Sequence, residues 1–148
     1  MVYERLNNRN QKAMSTMTPR AKALQTLQKL VRLKAADDNG FCECVTCNDI
    51  CKWTEGDGGH FIPKGHSSYW ALVEENIHFQ CKKCNNWGMK YGTAAQQYTL
   101  YMIDTYGRDF VEDMEKRKRD EVKYYKRDYL QMTKEWNEQI KHHLERIG

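Results

Sequence analysis

The sequence predicts an α+β fold, in which a small zinc-stapled core of short strands and one helix is preceded by an N-terminal helix and followed by long C-terminal helices. Three observations predict it. Two C-x2-C pairs, Cys44-Val-Thr-Cys47 and Cys81-Lys-Lys-Cys84, bracket a stretch of short β-prone runs with little to bury. Four thiolates on one zinc would turn metal binding into folding energy there. Apolar residues recur at helical spacing before the first pair and again after the second. The 148 residues, 40% hydrophobic and 30% charged, suit one domain with extensions and a modest core.

Residues 1–17 are polar and lack periodicity, which reads as a flexible leader. Thr18-Pro19 then marks a helix start, with Thr as the capping residue and Pro in the first turn. Leu24, Leu27, Leu30, Val31 and Leu33 recur on one side of that helix, and Arg20, Lys22, Lys29 and Arg32 occupy the others, until Asp37-Asp38-Asn39-Gly40 ends it. Its cations can be solvated on a helix packed against the zinc domain, and they can also track a phosphate backbone.

Residues 41–53 are rich in cysteine and turn formers, as a hairpin carrying a zinc knuckle would be. Cys44 and Cys47 mirror the spacing of Cys81 and Cys84. Cys42 and Cys51 read as small buried hydrophobes, with an exchange of Cys42 for Cys44 among the ligands left open. Gly56-Asp57-Gly58-Gly59 leads into an apolar strand-like fragment, His60-Phe61-Ile62-Pro63, and Lys64-Gly65-His66 is a loop. Residues 76–79 form a second short strand that runs through the second knuckle into a helix from about Asn85.

A further helix is expected over 93–106, with Tyr98, Tyr101 and Met102 facing inward and Gly107 as its stop. Residues 108–148 lack Gly and Pro until the last position, which predicts one long helix. Along it Val122, Tyr125, Tyr129, Met132, Trp136, Ile140 and His143 are spaced three and four apart. Such a heptad seam points to a homodimer, or else to a helix laid along its own domain. The domain plan is a leader (1–17), a zinc-bound core with flanking helices (18–107) and a C-terminal helix (108–148).

The net charge is +4 and unevenly spread: residues 1–41 carry eight Lys and Arg against three Asp and Glu, whereas 42–107 carry five against seven. A basic N-terminal arm suits a polyanionic partner. No apolar run approaches the ~20 residues of a membrane span, and the N-terminus lacks the apolar segment of a signal peptide. Six cysteines in such a chain imply a reducing, cytoplasmic setting and metal ligation in preference to disulfides.

Between the knuckles stand His60, Asn76 and Asn85, more polar chemistry than a structural zinc needs. Phosphodiester cleavage needs a water made nucleophilic, and a cation beside the scissile phosphate. A neutral His60 on a strand supplies the base. Asn85, in the first turn of the helix after the second knuckle, can offer an amide oxygen to a hard divalent ion such as Mg2+ or Mn2+. Asn76 can tie its loop to the strand of His60 through side-chain to backbone bonds.

His60, Asn76 and Asn85, with the ending Asn76-x4-Cys81-x2-Cys84-Asn85, resemble the HNH (ββα-metal) endonucleases of the H-N-N variety. Within that group, Asp57-x-Gly59-His60-Phe61 together with Glu75-Asn76-Ile77-His78-x-Gln80-Cys81-x-x-Cys84-Asn85 resembles the NinG/Rap recombination proteins of lambdoid phages over about residues 20–107. The resemblance implies a metal-dependent, structure-selective endonuclease acting on branched DNA such as D-loops and Holliday junctions. It assigns His60 as general base, Asn85 as catalytic-metal ligand, Asn76 as the loop-fixing residue, and Cys44, Cys47, Cys81 and Cys84 as zinc ligands.

One departure concerns the acid. Many HNH enzymes carry a metal-binding Asp immediately before the base, where this chain has Gly59. Asp57 lies three residues before His60, and a bulge at Gly58-Gly59 could re-aim its carboxylate toward the metal; otherwise it is a plain turn residue. His78, two residues from Asn76 on the expected strand, is open between contacting metal or phosphate and being an ordinary strand histidine. Lys64 and His66 are further candidates for phosphate contact. Two other classes compete with the enzyme: a non-catalytic zinc module that binds DNA, and an adaptor whose C-terminal helix recruits a partner.

Overall fold

The computed structural model describes residues 16–148, so most of the expected leader, 1–15, lies outside the described residues. The architecture is α+β: an N-terminal helix, two small β-hairpins, a four-cysteine cluster between them, and helices to the end. Helix α1 spans Pro19–Ala35, begun by Thr18, whose Oγ1 accepts from Ala21 N at 3.1 Å. Its stop is built as the sequence implies. Asp37 Oδ1 accepts from the amides of Asn39 and Phe41 at 2.9 Å each, and Gly40 takes the left-handed φ of +84° that the turn requires.

Strands β1 (Phe41–Glu43) and β2 (Ile50–Lys52) form one antiparallel hairpin, and β3 (Gly56–His60) and β4 (Ile77–Cys81) form the other. The first holds Cys42 opposite Cys51. Cys42 is buried beside Ala36 and Phe79, with its thiol raised to about 11 by that burial. Both Cys42 and Cys51 stand outside the cysteine cluster.

The second hairpin corrects the expected strand. Pairing runs over 56–60 rather than 60–63, because β3 carries almost no side chains. A Cβ at Gly56 would strike the Phe79 ring, and one at Gly58 would come within 3.0 Å of the Gln28 backbone in α1. The strand can therefore lie against both neighbours. Asp57 is accordingly a strand residue opposite Gln80, not a turn residue. The register from Gly56↔Cys81 to His60↔Ile77 is unbroken, so the expected bulge is absent from this hairpin.

After β4 a π-helical turn, Cys84–Gly88, runs into the short α2 (Met89–Tyr91), then α3 (Ala94–Tyr106) and α4 (Arg108–Lys116). Gly107, at φ +90°, separates α3 from α4. Tyr98 and Met102 on α3 are fully buried with Ile62, Trp70, Val111 and Met114, closing a core over the 61–73 connection.

The single long helix expected over 108–148 is instead α4 and α5 (Lys126–Ile147), broken at 117–125. The break has a tertiary cause. Trp70 Nε1 donates to Arg117 O at 2.9 Å, Ser67 Oγ donates to Asp120 O at 2.5 Å, and Ser68 Oγ accepts from Val122 N at 2.8 Å. These bonds take backbone groups a continuous helix would use, while the Arg117 guanidinium stacks on Tyr69 and Trp70 at 5.2 and 5.4 Å.

Helix α5 lies along α1. Ile140 is 4% exposed against Leu30 and Leu33, and Trp136 bridges this group to Leu27, Val31 and Ile77. The heptad seam thus spends Trp136 and Ile140 within the chain, while Val122 and Tyr125 precede the helix. Arg146 caps the other end of α1: its Nη2 donates to Leu33 O and Ala36 O at 3.2 and 2.9 Å, and its Nη1 reaches Asp38 at 2.8 Å. Among the described residues no helix is long and apolar enough to cross a membrane.

Candidate functional site

The Sγ atoms of Cys44, Cys47, Cys81 and Cys84 all lie within 4.8 Å of one another. Four sulfurs at tetrahedral corners ~2.3 Å from one zinc stand about 3.8 Å apart, and Cys47 Sγ and Cys81 Sγ are separated by 3.8 Å. Local backbone geometry makes the first knuckle. Asn48, in the left-handed region at φ +66°, donates its amide to Cys44 O at 2.9 Å, and Cys44 N donates to Asp49 O at 2.8 Å. Burial pushes the Cys44 thiol up, but hydrogen bonds with the Thr46 hydroxyl and with backbone groups of Cys81, Thr46 and Cys47 outweigh it and bring the thiol down to about 7. The donor set is closed and soft, as a structural zinc requires.

The second knuckle directs the chain straight into the π-helical turn, so Asn85 faces β3. Its Nδ2 donates to Asp57 Oδ2 at 3.1 Å, and Lys82 Nζ holds Asp57 Oδ1 at 2.9 Å. These three residues line a groove of about 350 Å3 with Gln28, Arg32 and Thr54. Arg32 is fixed there by a bond from Nη1 to Trp53 O at 3.1 Å and by its stack on the Trp53 ring at 5.4 Å. Burial lowers its guanidinium pKa against the opposing pull of Asp57.

His60 ends β3, three residues from Asp57, so an unbulged strand sends the two side chains to opposite faces. The imidazole is largely buried and its Nε2 lies 3.0 Å from Ala71 O. A carbonyl can only accept, so Nε2 carries the proton and Nδ1 keeps its lone pair. Burial pushes the His60 pKa below its ordinary value, the Ala71 bond opposes that, and the Lys64 charge adds to it. Lys64 and His66 are exposed in the loop that follows.

Asn76 is fully buried and holds that loop. Its Oδ1 accepts from Ile62 N at 2.7 Å, and its Nδ2 donates to Ile62 O and Trp70 O at 2.9 and 3.0 Å. It sits in a 3-10 turn (Glu74–Asn76) before β4, so the expected shared strand face with His78 does not exist.

His78 is corrected as well. Tyr98 spends its hydroxyl hydrogen on Gly59 O at 2.7 Å and therefore accepts from His78 Nδ1 at 3.0 Å. Nε2, left unprotonated, accepts from Tyr106 Oη at 2.8 Å. With both ring nitrogens engaged, His78 has none to offer a metal or phosphate, and burial holds its pKa at about 4.

Of the expected cationic contacts on α1, Arg32 reaches the groove, Lys29 is half-buried and Arg20 is exposed away from the groove lining. Sequence reasoning missed Lys82, which lines the groove, and Gln80, which is buried behind it on β4. The run Ile77-His78-Phe79-Gln80 alternates apolar and polar, which was a signal that Gln80 shares a face with His78. Gln80 is fully buried; its Nε2 donates to Thr46 Oγ1 at 3.2 Å, and its Oε1 has no partner. That oxygen occupies the space a Cβ on Gly59 would need, where Asn85 Oδ1 also comes within 3.0 Å. Asn85 thus joins two oxygen donors, its Oδ1 near Gln80 Oε1 and its Nδ2 on the Asp57 carboxylate, and hard donors of these kinds suit Mg2+ or Mn2+.

The family model described as NinG: Bacteriophage Lambda NinG protein matches residues 3–146. No curated protein and no solved structure matches the chain.

Proposed function

The chain belongs to the bacteriophage lambda NinG protein family, and we propose that it is a divalent-metal-dependent endonuclease of the HNH type that cuts branched DNA. One observation carries the reading: Asp57 meets the amide of Asn85 beside the strand that a largely buried histidine with a free Nδ1 ends, the acid and the imidazole leaving that strand on opposite faces. A structural zinc site explains none of these three groups.

In this reading His60 Nδ1, with Nε2–H held by Ala71 O, takes a proton from a water molecule, and the phosphate spans the edge of β3, since Asp57 leaves the strand on its other face. The water oxygen then bonds to phosphorus as the bond to the 3′ oxygen breaks. Asp57 and Asn85 would hold the divalent cation, which supplies positive charge beside the phosphate and the leaving oxygen. Asn76 keeps the Ile62–Trp70 loop, and through it the Ala71 carbonyl, in register with His60. The branched substrate rests on the resemblance carried by residues 57–61 and 75–85, and the cations along the groove are compatible with any DNA backbone.

The test is cleavage of a labelled four-way junction and of its component linear duplex, with Mg2+, Mn2+ or EDTA, by wild type and His60→Ala. Metal-dependent cutting of the junction that the variant loses while still binding DNA supports the enzyme. Tight binding without cutting by either protein would replace it with a DNA-binding module.

A further inference from the structure

We propose that Gln80 is a further ligand of the divalent cation held by Asp57 and Asn85, its Oε1 entering the space that residue 59 leaves by having no side chain. The inference rests on the endonuclease reading above. The starting observation is an unsatisfied polar atom: Gln80 Oε1 is fully buried and lacks a hydrogen-bond partner, which is destabilising unless something positive meets it.

The zinc site favours this orientation of the amide over the reverse one. A zinc-bound Cys44 is a thiolate, and Thr46 Oγ1 stands 3.3 Å from it beside the backbone donors that also reach it, a position that directs the hydroxyl hydrogen to sulfur. The Thr46 oxygen must then accept, and the atom facing it at 3.2 Å has to be the NH2 of Gln80. Oε1 is thereby aimed away from the cysteine cluster, into the volume next to Gly59 that Asn85 Oδ1 shares.

Gly59 makes that volume possible. Any Cβ there would collide with Gln80 Oε1 and stand 3.0 Å from Asn85 Oδ1. On the paired strands, Asp57 lies opposite Gln80 and Gly59 opposite His78, so one face of the hairpin presents the Asp57 carboxylate and the Gln80 amide side by side. Two neutral amide oxygens and one carboxylate leave a divalent ion with much of its charge uncompensated, ready for a phosphate. The arrangement also links the two metals through Cys44, Thr46 and Gln80: the zinc site sets the orientation of a ligand in the second site.

The experiment titrates Mn2+ into the zinc-loaded full chain without DNA, reading free Mn2+ by electron paramagnetic resonance and zinc content in parallel. Gln80→Leu should weaken Mn2+ binding by about tenfold or more, and Gln80→Glu should bind at least as tightly as wild type, both with full zinc. An Asp at residue 59 would project into the same volume, so Gly59→Asp with Gln80→Ala should recover most of the affinity. Should Gln80→Leu lose zinc and misfold, Gln80→Ala decides: alone it should bind Mn2+ more weakly than wild type, and with Gly59→Asp it should regain most of the affinity. Unchanged Mn2+ affinity in Gln80→Leu, or in Gln80→Ala where Gln80→Leu misfolds, with metal-dependent cleavage intact, overturns the role of Gln80 alone. A wild type that neither binds Mn2+ nor cuts DNA overturns the endonuclease reading and this inference together.

Discussion

Lys82 Nζ sits 2.9 Å from Asp57 Oδ1, on the same carboxylate whose other oxygen accepts from Asn85. The ammonium therefore stands where a divalent cation would compete for the acid. The pair is partly exposed, with the lysine side chain 61% accessible, so the bridge contributes at most about 1 kcal/mol. Lys82→Ala is expected to raise Mn2+ affinity by up to about fivefold, and Asp57→Asn to lower it. Weaker binding in Lys82→Ala, measured in the same titration, would mean that the lysine helps to build the site.

The His60 pKa is depressed by burial, with Lys64 adding to the depression. A depressed pKa keeps the imidazole neutral, and able to act as a base, at pH values where an ordinary histidine would be charged. The acid limb of the kcat/KM profile for DNA cleavage should therefore fall below pH 6.5. Lys64→Gln removes a repelling charge and should move the limb upward. A downward move would show that Lys64 acts on His60 in some other way.

His78 gives stability a pH dependence of definite sign. Its folded-state pKa is about 4, below the ordinary 6.5, so the unfolded chain binds the extra proton first as the solution is acidified. The contribution is complete above pH 6.5 and is lost progressively down to about 4, where it has cost on the order of 3 kcal/mol. Urea midpoints of wild type and His78→Gln, compared across that window, isolate this from zinc release, which acts on both. Parallel curves would argue against a neutral His78 between its two tyrosines.

Ile140 is 4% exposed where α5 crosses α1, and Trp136 packs beside it. Ile140→Ala should destabilise the chain by roughly 2–5 kcal/mol, read as a lower urea midpoint. A variant that kept its midpoint but halved the mass seen by light scattering would show that this face serves a second copy instead.

What was legible in the sequence was local. The cysteine spacing, the Thr18-Pro19 start and the Asp37–Gly40 stop each depend on residues a few positions apart, and each is built as its chemistry implies. The helix break at 117–125 was not legible, because its cause is Ser67, Ser68 and Trp70, some fifty residues away in the chain. The face of His78 was misjudged for a related reason: Asn76 belongs to a turn held by Ile62 and Trp70, so counting in twos from it had no meaning. Strand β3 escaped notice since periodicity needs side chains, and Gly56-Asp57-Gly58-Gly59 supplies one in four.

That same strand bears on which sequences can perform this task. Its three glycines are each fixed by a different neighbour: the Phe79 ring excludes a side chain at 56, the α1 backbone at 58, and the Gln80 amide at 59. Phe79 and Gln80 belong to the hairpin's other strand, whereas Gln28 belongs to a helix. A tolerated replacement at Gly59 therefore requires a matching reduction at Gln80, while one at Gly58 requires a helix to move and one at Gly56 requires the paired strand to move, because its Cβ would also stand 2.8 Å from Gln80 O. In a survey of all single substitutions, Gly56 and Gly58, which meet backbone, should be less forgiving than Gly59, and natural drift at Gly59 should be visible as a paired exchange with position 80.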